Sequence, residues 1–371
     1  MGLKINSRIF SSDEFRSGCI KEVLQNLSAE SICGVVFCGE NETEEYHHLL
    51  NELKEMVYGS LGRKVPVTLI PQYLLPYGGF SLEIYTLDTD AEMRFEEVDG
   101  ICCGVVKGDK ESMLLVEGIP SSDFSESVSR QSDEVFGKLD NLLTSYSFAV
   151  DDIVRQWNYI GNIVACRGGR QNYQEFNDAR SRYYAKGCWS NGYPAATGIG
   201  AYGEGIIVGG VAFKNVEQGV KAVYPIDNPL QVAAHVYSKR VLIDDDCNAV
   251  KSTPKFERAK LIETESGVCC FVSGTAAIRG EDSVKSLSAG LQTVKTIENI
   301  ENLVSKENLM RYGCKPYDLK FVKHQVFIKN ANDYEAVRQI VERSYPDVPT
   351  IYTIADVCRS ELLVEIESVL I

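Results

Sequence analysis

The clearest acid chemistry in this 371-residue chain lies near its end, where Glu365 and Glu367 interrupt the otherwise apolar run from Leu362 to Leu370. Alternate residues of a strand share a face, so both carboxylates point away from Val364 and Ile366. On a solvated face they are surface charges. Closed over a pocket, burial and mutual repulsion would raise one pKa and leave a carboxylic acid able to donate a proton near neutral pH. A second grouping sits upstream: Tyr173, Asn177, Arg180 and Tyr184 fall on one stripe of a helix, bordered by Phe176,. Arg180 either snorkels to solvent and pairs with one of the many carboxylates, or offers its planar fork to a substrate carboxylate, with Asn177 and a tyrosine hydroxyl completing the contacts.

Other motifs carry less. Gly198-Ile-Gly200-Ala-Tyr-Gly203 spells the dinucleotide fingerprint. A phosphate-binding turn must open a helix, however, and here the chain runs on into a strand-like stretch, Gly205 to Phe213, with no Gly-Lys-Ser/Thr ending. The twelve cysteines contain no Cys-x-x-Cys, and the four histidines, His47, His48, His235 and His324, form no ligand pattern. The expectation is reduced core thiols, no metal and no cofactor. Thirty-eight basic against 52 acidic residues give a net charge of −14, which repels phosphate backbones and anionic lipid. Nucleic acid and membrane are therefore not expected partners. A small anionic substrate would need a local basic pocket built from a few arginines. The first residues lack a signal-peptide core and no apolar run is long enough to span a bilayer, so a cytoplasmic protein is expected.

The elements that must position these groups read as α/β. Hydrophobic residues at 44 % and charged residues at 24 % suit a globular chain of about two domains. Periodicity predicts strands over 31–39, 65–70, 80–87, 100–107 and 112–116, with helices over 42–59 and 133–146. Beyond a soft boundary near residue 150 the pattern predicts a strand at 162–167, a helix at 172–186 and a glycine-studded strand pair at 197–214. Strands at 221–226, 231–238 and 260–278 follow. A long helix over 283–305 is capped by Asp282 or Ser283 and buries Leu287, Leu291, Val294, Ile297, Ile300 and Leu303. A strand at 319–329, a helix at 333–344 and strands at 350–354 and 362–370 close the chain.

Several blocks resemble one superfamily. Phe271-Val-Ser-Gly-Thr-Ala-Ala277, Gln292-Thr293, Thr296-Ile-Glu-Asn-Ile300 and Val364-Glu-Ile-Glu367 are similar to the RidA/YjgF pattern. Asp152 to Ile160, Tyr173 to Arg180, Tyr193 to Gly200, Pro254 to Ala259 and Ala355 to Arg359 resemble its chorismatase branch, the chorismate-cleaving enzymes related to hydroxybenzoate synthases. The resemblance implies an α+β protein of two RidA-like (chorismate mutase-like) domains, a divergent one over 1–150 and a catalytic one over 151–371, each a mixed sheet packed on two helices. RidA folds are commonly trimers with clefts between subunits, so a homo-oligomer, a trimer by analogy, is implied, although paired domains could make the same contacts within one chain.

What the resemblance implies chemically is cleavage of the enolpyruvyl ether of chorismate to pyruvate plus a hydroxybenzoate or dihydrodiol. Glu365 occupies the position of the proton donor. Arg180 and Arg359 are the implied carboxylate clamps, and Asn177, Tyr193 and the Ser273-Gly274-Thr275 turn line the pocket. Cys358 sits where product type varies among relatives, and a cysteine there resembles the hydroxybenzoate-forming kind. RidA deaminases anchor their substrate with an arginine in the strand before the last; here that strand reads Thr350-Ile-Tyr-Thr-Ile354, so imine deamination loses its anchor. The alternative is a non-catalytic RidA-like protein that binds a small carboxylate metabolite.

Overall fold

Strand and helix patterns repeat three times along the chain, and each repetition builds one unit. The structure, a computed structural model, describes residues 2–11, 19–25, 31–39, 43–89, 91–215, 221–242, 252–265, 267–284 and 288–371. The first unit holds β1 (Gly2–Phe10), α1 (Cys19–Gln25), β2 (Ile32–Gly39), α2 (Tyr46–Leu61), β3 (Val67–Pro71), β4 (Tyr73–Leu74) and β5 (Phe80–Asp88). The second holds β6 (Glu92–Val98), β7 (Ile101–Lys107), β8 (Glu111–Pro120), α3 (Val128–Ser145), β9 (Ile153–Gly161), a hairpin of β10 (Cys166–Arg167) and β11 (Arg170–Gln171), α4 (Asn172–Tyr184), β12 (Ala195–Ala201) and β13 (Ile206–Asn215). The third holds β14 (Val223–Ile226), β15 (Ala259–Thr264), β16 (Gly267–Ala276), a hairpin of β17 (Ile278–Arg279) and β18 (Asp282–Ser283), α5 (Ala289–Val304), α6 (Lys306–Arg311), β19 (Phe321–Ile328), α7 (Tyr334–Ser344), β20 (Thr350–Ile354) and β21 (Val364–Leu370).

The second and third units share one topology. A three-strand meander leads into helix, strand, helix and two further strands, the last of which inserts at the sheet's centre. Their orders are β12-β9-β13-β8-β7-β6 and β20-β19-β21-β16-β15-β14. The first unit, β1-β5-β2-β3, repeats this pattern without the first two meander strands. The boundary expected near residue 150 therefore does not divide the sheets: β8 and β13 pair across it within the middle unit. The sheets of the described residues group the strands into three units. The short β4 leaves its own unit and pairs with β20 of the third.

One buried cluster joins all three units, running through Phe37 and Leu82, then Tyr159 and Ile207, then Phe327 and Val357. Each seam also carries one buried ion pair. Lys54 meets Glu117 between the first and second units, Arg155 meets Glu367 between the second and third, and Lys323 meets Glu83 between the third and first. Buried pairs add little net stability but penalise any arrangement that separates them.

Local chemistry explains where the structure departs from the expected elements. Residues 162–165 turn rather than extend; the strand is Ile153–Gly161. The 231–238 stretch forms a bend with a short 3₁₀ turn. Asp282 and Ser283 sit in the β17–β18 hairpin, and α5 is capped instead by Ser288, whose hydroxyl accepts from the Leu291 N–H. The expected buried face of that helix holds at Ile300 and Leu303, both fully buried, and fails in its first turns. Leu291 and Val294 are 56 % and 45 % exposed, whereas Gln292 and Asn299 are buried. The cause is backbone demand: Asn299 donates to the carbonyls of Ala276 and Ile278, and Gln292 accepts from Leu363 N–H, bonds that the backbone groups need where they leave solvent. Leu287 lies outside the described residues. Among the described residues no helix is long and apolar enough to cross a membrane, and the described cysteines are free thiols.

Candidate active site

A pocket of about 710 Å³ opens at the seam between the second and third units. Both walls belong to this one chain, so the cleft that resemblance places between trimer subunits is made here without a second copy. One wall is the α4 face bearing Tyr173 and Asn177; the other is the β16–β21 pair bearing Gly274 and Glu365.

Glu365 is placed by strand alternation. Its neighbours Val364 and Ile366 pack into the helix-side core, which turns Glu365 to the opposite face. Space for it comes from a bulge in β16, where Ser273 and Gly274 interrupt the register between Val272↔Ser368 and Thr275↔Ile366. A Cβ on Gly274 would collide with the Glu365 carboxylate. Burial, and then the charge of Glu367, raise the Glu365 pKa to about 8, against the opposing pull of Arg258 and Arg155. The side chain is consequently a neutral carboxylic acid at pH 7.

Glu367 supplies that repulsion from a rigid mount. Its Oε2 lies 2.6 Å from Arg155 Nη2 and accepts from Thr197 Oγ1 at 2.5 Å, while Oε1 accepts from Trp157 Nε1 at 3.1 Å. Arg155 also lies over the Trp157 ring at 4.6 Å, and the Gly274 N–H donates to Thr197 Oγ1 at 3.1 Å.

Two guanidinium groups face the pocket, Arg258 and Arg359. They flank the Tyr237 ring, with cation-to-centroid distances of 5.6 and 5.2 Å. Arg359 Nη1 donates to the Glu281 carbonyl at 2.9 Å and to Ser283 Oγ at 3.2 Å. Arg258, 2 % exposed, donates through Nη2 to the Val232 carbonyl and the Tyr237 hydroxyl, and its buried Nε has no hydrogen-bond partner among the described residues. Sequence reasoning assigned Arg258 no role, although it stands at the end of the Pro254–Ala259 block; a cation directly preceding the apolar strand β15 was the available signal.

The other expected site residues divide. Asn177, Gly274, Arg359, Cys358 and Glu365 line the pocket together. Arg180 does not: it is buried behind the lining, its Nη2 donating to Asn177 Oδ1 at 2.6 Å beside the Phe176 ring. Of its guanidinium, Nη2 holds Asn177 while the buried Nε has no hydrogen-bond partner among the described residues; burial, and then the Arg180 charge, lower the Lys255 pKa. Tyr193 is also off the lining, stacked on Tyr184 at 5.9 Å and packed against Trp189. Ser273 fastens the seam from behind, donating to the Glu257 carbonyl at 2.6 Å and accepting from Ala196 N–H at 2.8 Å. Thr275 donates to the Ser273 carbonyl. The Cys358 thiol is pushed up to about 12 by burial and by Glu365, so it faces the pocket as a neutral thiol.

The glycines of Gly198 to Gly203 serve close approach. A Cβ on Gly198 would come within 3.1 Å of the Tyr173 ring that lines the pocket, Gly200 lies against the Asp356 backbone, and Gly203 takes a positive φ of 81° in a turn. The arrangement as a whole can hold a small anion between two arginines and hand it a proton near neutral pH.

Comparison with known proteins bears on what that anion is. The sequence profile described as "Chorismatase FkbO/Hyg5-like, N-terminal" matches residues 92–212, the span of the middle unit. A 3-hydroxybenzoate synthase of Streptomyces hygroscopicus is 30 % identical over 290 residues, covering 76 % of this chain and 79 % of that protein. A chorismatase of Streptomyces rapamycinicus is 32 % identical over 225 residues, 58 % of this chain and 63 % of that one. A chorismatase crystal structure matches along 100 % of both chains with a TM-score of 0.68 at 19 % identity, a likeness of fold.

Proposed function

The chain belongs to the chorismatase FkbO/Hyg5-like family, and on that premise we propose that it cleaves the enolpyruvyl ether of chorismate, releasing pyruvate and a hydroxybenzoate, with Glu365 as proton donor. The observation that carries the reading is the Glu365 carboxyl, held neutral to about pH 8 and facing a pocket with Arg258 and Arg359.

Chorismate carries two carboxylates, and two guanidinium groups match them in number. Breaking the ether requires the vinyl methylene carbon to gain a proton, which makes the ether carbon an oxocarbenium ion. Glu365 supplies that proton. The carboxylate it becomes then stabilises the cation it has created. Addition of water to the cation and collapse of the hemiketal release pyruvate and a dihydrodiol. Loss of pyruvate with rearrangement of the ring gives a hydroxybenzoate with no net water consumed. The neutral Cys358 thiol on the wall steers between these outcomes. A positioned acid contributes roughly 10²- to 10⁴-fold; orientation by the arginines and Asn177 supplies the rest.

The experiment is direct. Purified protein is incubated with chorismate, pyruvate is followed by coupled lactate dehydrogenase, and the aromatic product is identified by mass spectrometry. Pyruvate release above the spontaneous rate, with a hydroxybenzoate in equal amount, supports the proposal. Binding of chorismate without pyruvate release returns the chain to a carboxylate-binding role.

A further inference from the structure

A second space, of about 1170 Å³ counting the solvent it opens to, lies between the three sheets. The reaction above does not use it. All three units contribute to its wall, which is dominated by apolar groups such as Leu3, Met113, Val211 and Phe271. Every charged side chain on that wall already has a partner. Lys323 Nζ lies 2.6 Å from Glu83 Oε2 and donates to Tyr85 Oη at 3.0 Å. Glu367 takes Arg155 and Trp157. Glu117 takes Lys54 and the backbone N–H groups of Val67 and Cys102. Among the described residues, the fully buried side-chain oxygen of this wall that lacks a hydrogen-bond partner is Glu83 Oε1, on a residue only 2 % exposed.

These facts select a ligand chemistry. An anion is rejected, because each lining cation is neutralised and a further buried negative charge would go uncompensated. A purely apolar molecule would leave the Glu83 oxygen as it is. We propose that the central cavity is a binding site for a small neutral molecule, mainly apolar and carrying one hydrogen-bond donor, of the phenol class, with the donor on Glu83 Oε1. The chain then holds two sites of opposite preference: dianions at the seam, neutral amphiphiles at the centre.

Phenol is the probe, with benzoate as its charged counterpart. Calorimetric titration of the full chain should give saturable phenol binding with a Kd on the order of 1 mM or below, the range open to a ligand of this size. Benzoate should not compete. Binding should persist in Glu365→Gln and Arg359→Met, which alter only the seam pocket. It should be lost in Gly34→Leu: a Cβ on Gly34, which lines the cavity, has within 4 Å only the Pro66 carbonyl oxygen at 3.8 Å, so the new side chain fills the space. Val211→Phe is a second plug should the first fail to fold. In the unaltered protein, NOEs from the phenol ring to the Met113 methyl place the ligand. Absence of saturable binding, survival of binding in a folded plugged variant, or equal competition by benzoate overturns the proposal.

Discussion

The seam between the first and second units and the seam between the second and third are built from the same parts and differ in the residue that meets the bulge. In each, the third meander strand bulges against the last strand of its unit: Glu117 and Gly118 in β8, Ser273 and Gly274 in β16. In each, the bulge glycine donates its N–H to a threonine hydroxyl on the neighbouring unit, Gly118 to Thr68 at 2.8 Å and Gly274 to Thr197 at 3.1 Å. The strand register then pairs positions one for one. Ile207 stands opposite Tyr159 as Glu365 stands opposite Phe327, and Gly209 stands opposite Trp157 as Glu367 stands opposite Gln325. Where one seam places a methyl-bearing side chain, 3.1 Å from where a Gly118 Cβ would lie, the other places a carboxylic acid. The bulge provides room. The residue that fills it decides between core and chemistry.

Exchange at that one position should have the largest effect. Glu365→Gln keeps shape but cannot donate an acidic proton, and Glu365→Ile installs the residue of the other seam. Both should cut pyruvate release by at least about 10², while circular dichroism and melting report a folded protein. Activity retained in Glu365→Ile would break the comparison.

The charges around the position come next. Replacing Arg258 or Arg359 by Met should weaken chorismate binding by roughly 1.5 to 3 kcal/mol, the scale of a hydrogen bond to a charged group. Arg180→Met should cost less than either, since Arg180 reaches the pocket only through Asn177. Calorimetry with Glu365→Gln as the background separates binding from turnover. Equal losses at all three would restore Arg180 as a clamp.

That ranking shows what the sequence could and could not tell. The two glutamates were legible because strand alternation is local, and Val364 and Ile366 mark the opposite face. Arg180 was favoured because a helical stripe is visible in one segment, whereas Arg258 reaches the pocket through a loop whose course depends on Tyr237 and Val232. The threefold repeat was hidden for a similar reason. β6 reads Glu-Met-Arg-Phe-Glu-Glu-Val, too charged to announce a strand, and its edge position explains the charge. The first unit lacks its two opening strands, so it does not look like its neighbours. The expected face of α5 holds at Ile300 and Leu303 and fails at Leu291 and Val294, because buried Gln292 and Asn299 answer backbone groups distant in sequence.

Acidity gives the third test. A donor must be protonated, so kcat should hold at neutral pH and fall as pH rises through about 8, the raised pKa of Glu365. The same shift has a stability consequence. Because the folded state keeps the proton from 4.5, the ordinary value, up to about 8, native protein binds more protons than unfolded protein across that window, and stability falls as pH rises through it. Glu365→Gln should flatten that slope in melting curves. Exchanging Arg155 and Glu367 together, as Arg155→Met with Glu367→Gln, removes the repelling charge without stranding a buried cation; the alkaline limb should then move to lower pH. An unmoved limb would assign the raised pKa to burial alone.

The smallest expected effect lies in the seam between the first and second units, and it guards against reading any disturbance of a seam as catalysis. Ile207 is fully buried and belongs to the cluster that joins the three units. Shortening it to Val removes one methyl from a close-packed site, which costs about 0.5 to 1.5 kcal/mol of stability. Ile207 lines neither the seam pocket nor the central space, so kcat and KM for chorismate should stay at their unmutated values while the denaturant midpoint falls. A loss of turnover matching the loss of stability would mean that the two seams move as one body, and the counterpart of Glu365 would then be a positioning element rather than packing.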